Sequence, residues 1–130
     1  MPAATGNFVL DKGYRAGAPL TKFRAVKFST AETVVPVAAI TDQIAGVVQF
    51  SVSAAEQAKG KGASVRTMGQ TEMEASGAIP IGSPVTITAT GTAAAAATGA
   101  RVIGVCVGAA AVNAGDRCTV RLAVSGALSP

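Results

Sequence analysis

The chain is predicted to be mainly β: a small antiparallel β-barrel or sandwich with an internal duplication, one short helix and an extended N-terminal arm. Three observations carry this. Short apolar runs recur between glycine turns over the 130 residues. The run Ile44-Ala45-Gly46-Val47-Val48 returns as Val102-Ile103-Gly104-Val105-Cys106. Each copy leads through small residues and a glycine to a strand bearing valine then arginine, Val65-Arg66 and Val120-Arg121. A Ser-Gly-Ala follows each pair, at residues 76–78 and 125–127. The glycines lie 58 residues apart and the valines 55, so short insertions account for the drift. Two copies are too few for a solenoid, which needs about three to bury a continuous core.

Residues 1–20 hold glycines and prolines without a sustained period and read as an N-terminal arm, leaving residues 21–130 as a single β-rich domain. Strands are expected over residues 23–28 and 33–40, the second an edge or bulged strand because Pro36 cannot donate to a ladder. Residues 44–50 form the first organising strand, with Gly46 marking a bulge or a close backbone approach. Ser53 to Lys59 reads as a two-turn helix: Ser53 caps it, Glu56 completes a capping box three residues on, and Gly60 stops it.

A strand over residues 65–68 is expected to give way to a polar loop or edge segment over 69–74, then an extended piece at 78–81. Residues 84–90 alternate, with Val85, Ile87 and Ala89 on one face and threonines on the other. The alanine run 93–97 between Gly91 and Gly99 is too short to nucleate a helix, since isolated helices need about 12–15 residues, so it reads as a turn and a short strand. Residues 102–107 repeat the organising strand, and Asn113-Ala114-Gly115-Asp116 supplies turn chemistry. The last strand, residues 117–124, puts Cys118, Val120, Leu122 and Val124 inward and Arg117, Thr119 and Arg121 outward.

The composition fits one domain with a thin core. Aromatics are 4% and Trp is absent, so Val, Ile and Leu must fill it, each contributing about 1.5–3 kcal/mol when fully buried. The net charge of +4 resides in the first 27 residues, where Lys12, Arg15, Lys22, Arg24 and Lys27 face only Asp11. The remaining chain balances, and a short basic arm on a neutral body argues against nucleic-acid binding. No apolar stretch reaches the ~18 residues of a membrane span and no signal peptide leads the chain, so a soluble product made in the cytoplasm is expected.

Catalytic signals are weak. The chain has no histidine, which removes the commonest general base. Glu72 and Glu74 read as a solvated edge, Gly82-Ser83 as a turn before Pro84 rather than a self-cleaving bond, and Lys59-Gly60-Lys61-Gly62 as a helix stop lacking phosphate-loop spacing. Cys106 and Cys118 have neither zinc-ligand spacing nor a histidine partner; they read as buried thiols or, if their strands pair, a disulfide, with the thiols favoured. No enzyme activity, cofactor or metal is expected. The aromatics concentrate near the N-terminus. Phe23 and Phe28 are assigned to capping the core, while Phe8 and Tyr14, the latter beside Arg15, read as an interface arm, aromatics and arginine being types enriched at interfaces.

The segment Val102-Ile103-Gly104-Val105-Cys106 to Arg117-Cys118-Thr119-Val120-Arg121-Leu122, preceded by Val85-Thr86-Ile87-Thr88, resembles the small capsid decoration (cement) proteins of tailed bacteriophages. With the first copy included, the resemblance spans residues 17–128. It implies a β-rich domain gathered as homotrimers on the exterior of the phage head, clamping major capsid protein subunits, with an N-terminal arm in contact with the capsid. It implies no role on nucleic acid or membrane and synthesis in the host cytoplasm. On this chain the capsid or subunit contacts would fall to Phe8, Val9, Leu10, Tyr14 and Arg15. The rival expectations are a virion module contacting carbohydrate or a receptor, for which Phe50 is the available body aromatic, and a self-processed small-barrel enzyme.

Overall fold

A computed structural model describes residues 9–108 and 110–123. Nine strands and one short helix follow in order: β1 (Leu10–Ala16), β2 (Ala25–Thr30), β3 (Thr33–Pro36), β4 (Gly46–Val48), α1 (Ala54–Ala58), β5 (Gly62–Glu74), β6 (Pro84–Ile87), β7 (Ala93–Ala95), β8 (Gly104–Cys106) and β9 (Arg117–Leu122). Hydrogen bonding orders them β1-β3-β2-β4-β5-β9-β8-β6-β7, and β1 also pairs with β5.

That extra pairing closes a ring. β1 runs parallel to β3 and antiparallel to the first half of β5, so β1, β3, β2, β4 and residues 62–68 form a five-stranded barrel. The second half of the chain traces the same circuit: residues 69–74 pair with β9, β9 with β8, β8 with β6 and β6 with β7. A parallel bridge from Ala75 to Ala93 returns to the start, as Ala16 to Val34 does in the first barrel. The mainly β fold and the duplication are therefore both present. β5 is the last strand of one barrel and the first of the next.

The correspondence extends to single hydrogen bonds. Phe23 N–H donates to Val48 O at 2.7 Å and Gly82 N–H to Cys106 O at 2.7 Å; Leu20 N–H donates to Val52 O at 2.8 Å and Ile79 N–H to Ala111 O at 2.9 Å. The repeated glycine has a steric cause. A Cβ on Gly46 would collide with the carbonyl oxygen of Arg66, and one on Gly104 with that of Arg121. The valine-arginine pair and the glycine are thus two sides of one close strand crossing, made between β4 and β5 and again between β8 and β9.

Each barrel is filled from matching positions. Ala16, Leu20, Val26, Val34, Val48, Val52, Ala63 and Val65 fill the first. Ala75, Ile79, Val85, Ala93, Cys106, Ala111, Cys118 and Val120 occupy the corresponding sites of the second. Both cysteines are thiols, not joined as a disulfide, and buried inside the second barrel; burial, and then the neighbouring Cys106, pushes the Cys118 thiol up to about 11.

The helix forms as its sequence dictates, with Ser53 accepting from Glu56 N–H and the Glu56 carboxylate accepting from Ser53 N–H. Gly60 ends it at φ 84°. The alanine run yields the short β7, and β9 alternates as expected, Cys118, Val120 and Leu122 inward. Val124, the second Ser-Gly-Ala and Phe8 lie outside the described residues.

Three expectations are corrected. Residues 69–74 are neither a loop nor an edge segment but the second half of a 13-residue strand, because Gly69 to Glu74 pairs register by register with β9. The alternating stretch 84–90 stops at Ile87: Thr88 N–H bonds to Thr92 O and Gly91 N–H to Thr88 O, turning the chain into a hairpin. Residues 10–16, placed in the arm, form β1, a wall strand of the first barrel. Its alternation is hidden because only Ala16 of the strand is fully buried.

Candidate docking surface

The two barrels meet asymmetrically. Ala25 and Val47 alternate with Val26 and Val48, so they point out of the first barrel, yet they are 1% and 0% exposed. They pack instead in one cluster with Val37, Ile44, Met73 and Ile87. Met73 and Ile87 extend the inward-facing rows of the second barrel beyond Ala75 and Val85. The side wall of the first barrel therefore plugs the open end of the second.

Polar contacts rivet this joint. Ala25 N–H donates to Gly91 O at 2.8 Å and Glu74 N–H to Phe23 O at 3.0 Å. Arg24 holds Glu74 bidentately at 3.0 and 3.3 Å, the Gln49 amide donates to Thr71 Oγ1 at 2.9 Å, and the Arg117 guanidinium lies 4.6 Å over the Phe23 ring. Gly91 is needed there, since its φ is 84° and a Cβ would come within 2.8 Å of Ala25 O. A cavity of about 310 Å³ remains beside the joint, with Ile40, Ile87 and Ala100 in its lining and Arg101 donating to Thr41 O at 3.1 Å.

Among the described residues, nothing covers the corresponding end of the first barrel. Tyr14 on β1 and Phe28 on β2, set on either side of β3, meet edge to face with ring centroids 5.2 Å apart. Tyr14 also packs against the first barrel's core, and Phe28 is 49% exposed. The Lys12 ammonium lies 5.3 Å from the Tyr14 ring centroid and 3.8 Å from the Glu32 carboxylate. Lys12, Tyr14, Phe28, Thr30, Ala31 and Glu32 enclose a concavity of about 300 Å³.

Of the candidate contact residues, Tyr14 is at this mouth. Arg15 alternates to the other side of β1 and is exposed, with its backbone N–H bonded to Glu32 O. Val9 and Leu10 are exposed, and Leu10 pairs with the equally exposed Met68. Lys12, Phe28 and Glu32 were not singled out as contact residues. Phe28 shares the face of Val26 but lies past the end of the core, so the cap assigned to it is half open. Glu32 stands in a tight turn at φ 63°, a conformation that its residue type does not announce. Phe50 is 41% exposed beneath the Lys61 ammonium.

Folding pairs three of the five basic residues of the N-terminal segment with acids from later in the chain. Lys12 pairs with Glu32, Arg24 with Glu74 and Lys27 with Asp42. Asp11 binds Arg66 through both carboxylate oxygens at 2.8 and 3.1 Å, and that hydrogen bonding holds the Asp11 carboxyl below its usual range. The pair fastens β1 across its register shift onto β5.

No protein-family model and no curated protein sequence matches the chain. A solved structure does. The crystal structure of the head fiber gp8.5 N base of bacteriophage phi29 superposes with a TM-score of 0.68 at 20% identity, covering 94% of this chain and 100% of that one. The likeness is one of fold, and because it spans almost the whole chain it takes in both barrels.

Proposed function

We propose that this chain is a structural, non-enzymatic protein of a bacteriophage head, bound to the outside of the assembled shell and stabilising its lattice. The observation that carries the reading is the end-to-end likeness in fold to the base of a phage head fiber. The resemblance of residues 102–122 to capsid decoration proteins points the same way. Major capsid protein is the proposed partner, with self-association into homotrimers and no part for nucleic acid. Lattice binding suits the thin cores, because one attached contact raises the effective concentration for the next. Binding only the assembled shell stabilises that state by linkage.

A second reading is favoured by the neighbour being a fiber base: the chain anchors an appendage instead of cementing a lattice. Copy number separates the two. Quantitative mass spectrometry of purified particles is expected to give a near-integer ratio to the major capsid protein, close to one. A few copies per hundred would select the anchoring role, and absence from particles would overturn both. Intact-mass measurement addresses the remaining enzyme rival, for which an uncut Gly82–Ser83 bond is the expected result.

A further inference from the structure

We infer that copies of this chain associate head to tail, the open mouth of the first barrel receiving the second barrel's side wall from a neighbouring copy. The contact repeats, between chains, the one that joins the two barrels within a chain. The repeat defines both surfaces. Met73, Ile87 and Gly91, which the first barrel covers, correspond to Tyr14, Phe28 and Glu32 at the uncovered mouth; Gly91 and Glu32 even share a positive φ, 84° and 63°. The plugging wall of Ala25, Val37, Ile44 and Val47 corresponds to Pro84, Ala96, Val102 and Val105 on the second barrel. The paired registers Ala25↔Val47 and Pro84↔Val105 fix that equivalence. These four side chains are apolar and partly exposed where their counterparts are buried, with the exposed Arg121 beside Val105 in register at their edge.

The differences between the two contacts suit a separable partner. Pro84 has no N–H to repeat the Ala25 bond to Gly91, and Ser83 with Arg15 replaces the Arg24–Glu74 pair. Glu32 cannot approach a wall as closely as Gly91 does, and the larger Tyr14 and Phe28, in place of Met73 and Ile87, fill a wider gap. What remains is an aromatic anchor on an apolar wall, with Lys12 and Glu32 neutralising each other at the rim. Such a contact is heterologous, joining unlike surfaces, so it closes into rings or continues as a filament. It supplies a surface for the self-association proposed above but does not rest on attachment to a phage head.

Sedimentation of the full chain with two variants tests it. Phe28→Glu spoils the mouth and Val105→Glu the wall; each alone is expected to weaken association at least about tenfold and leave monomers. Mixed, they are expected to form a dimer and nothing larger, through the one intact mouth and the one intact wall. A wild-type chain monomeric up to about 1 mM, oligomers unaffected by both substitutions, or a mixture that stays monomeric would overturn the proposal.

Val105 is half-buried, so a second measurement avoids that variant. Gln49 and Thr71, bonded across the internal joint at 2.9 Å, correspond to Val107 and Lys12. A Lys12→Cys, Val107→Cys chain treated with a short bismaleimide is expected to give a ladder of crosslinked multimers, while the buried Cys106 and Cys118 stay unreacted. Unlinked or only internally linked chains would count against the contact whatever the sedimentation shows. Loss of the virion role with these results intact would leave the association standing.

Discussion

The first barrel and the second share a circuit, a glycine crossing and eight core positions, but they differ in what covers their ends. Met73 and Ile87, at the end of the second barrel, are 0% and 3% exposed beneath the wall of the first. At the same end of the first, Tyr14 is half-buried and Phe28 is exposed. A duplicated unit thus has two identical needs, and among the described residues only one of them is met internally. The unmet end is where large rings and a charge pair have replaced aliphatic side chains and a glycine.

The sharpest way to break the comparison is to attack what the barrels share. Gly46→Ala and Gly104→Ala each drive a Cβ into a strand carbonyl, so each is expected to cost about 3 kcal/mol or more, read as a lowered urea midpoint. A large cost in one barrel alone would mean that the crossings are not equivalent. Next comes what the barrels do not share. Met73→Ala is expected to cost about 2–5 kcal/mol, as a large side chain lost from a sealed joint, while Tyr14→Ala at the half-open mouth costs about 1 kcal/mol. Equal costs would show that the mouth is already closed in the isolated chain.

The pH dependence separates the barrels more gently. Cys118 occupies the position that Ala63 holds in the first barrel, and its folded thiol is raised from 9.0 to about 11. The unfolded chain therefore releases this proton first. Stability from the neutral thiol is complete below about pH 9 and is lost as pH rises through 11. Cys118→Ala is expected to flatten that alkaline slope in a denaturation series. The smallest effect is a gain: Glu32→Gly, which gives the first barrel the residue type of Gly91, relieves a left-handed backbone and is expected to stabilise by about 0.5–1 kcal/mol. An unchanged melting temperature would mean that the lost Lys12 contact offsets the relief.

Much of this architecture was written locally. The duplicated apolar-apolar-Gly-Val run, the Ser53-to-Glu56 capping box and the alternation of β9 each depend on neighbours within a few residues, and each formed as read. Only the second half of β5 was missed, because Gln70-Thr71-Glu72 looks solvated. Thr71 is nevertheless buried, its hydroxyl accepting from Gln49, a partner 22 residues away. β1 was missed for a related reason: Asp11, Lys12 and Arg15 look solvated, yet backbone pairing and the Asp11–Arg66 pair hold them in a wall strand. The docking surface was legible only in part. Tyr14 was singled out by composition, but its meeting with Phe28 depends on the registers of three strands at once, which no window of sequence displays.

The continuous β5 also sets an order on the growing chain. Once residue 68 is free, every strand of the first barrel is available, and it can close while the rest is still being made. Residues 69–74 then project from a finished barrel as a bare strand, awaiting β9, which begins at Arg117. Unpaired strands of this kind recruit others. A nascent chain thus carries a templating edge through the synthesis of more than 40 residues, and the polar Gln70, Glu72 and Glu74 that concealed this strand from its sequence are suited to keep it from pairing with the wrong chain.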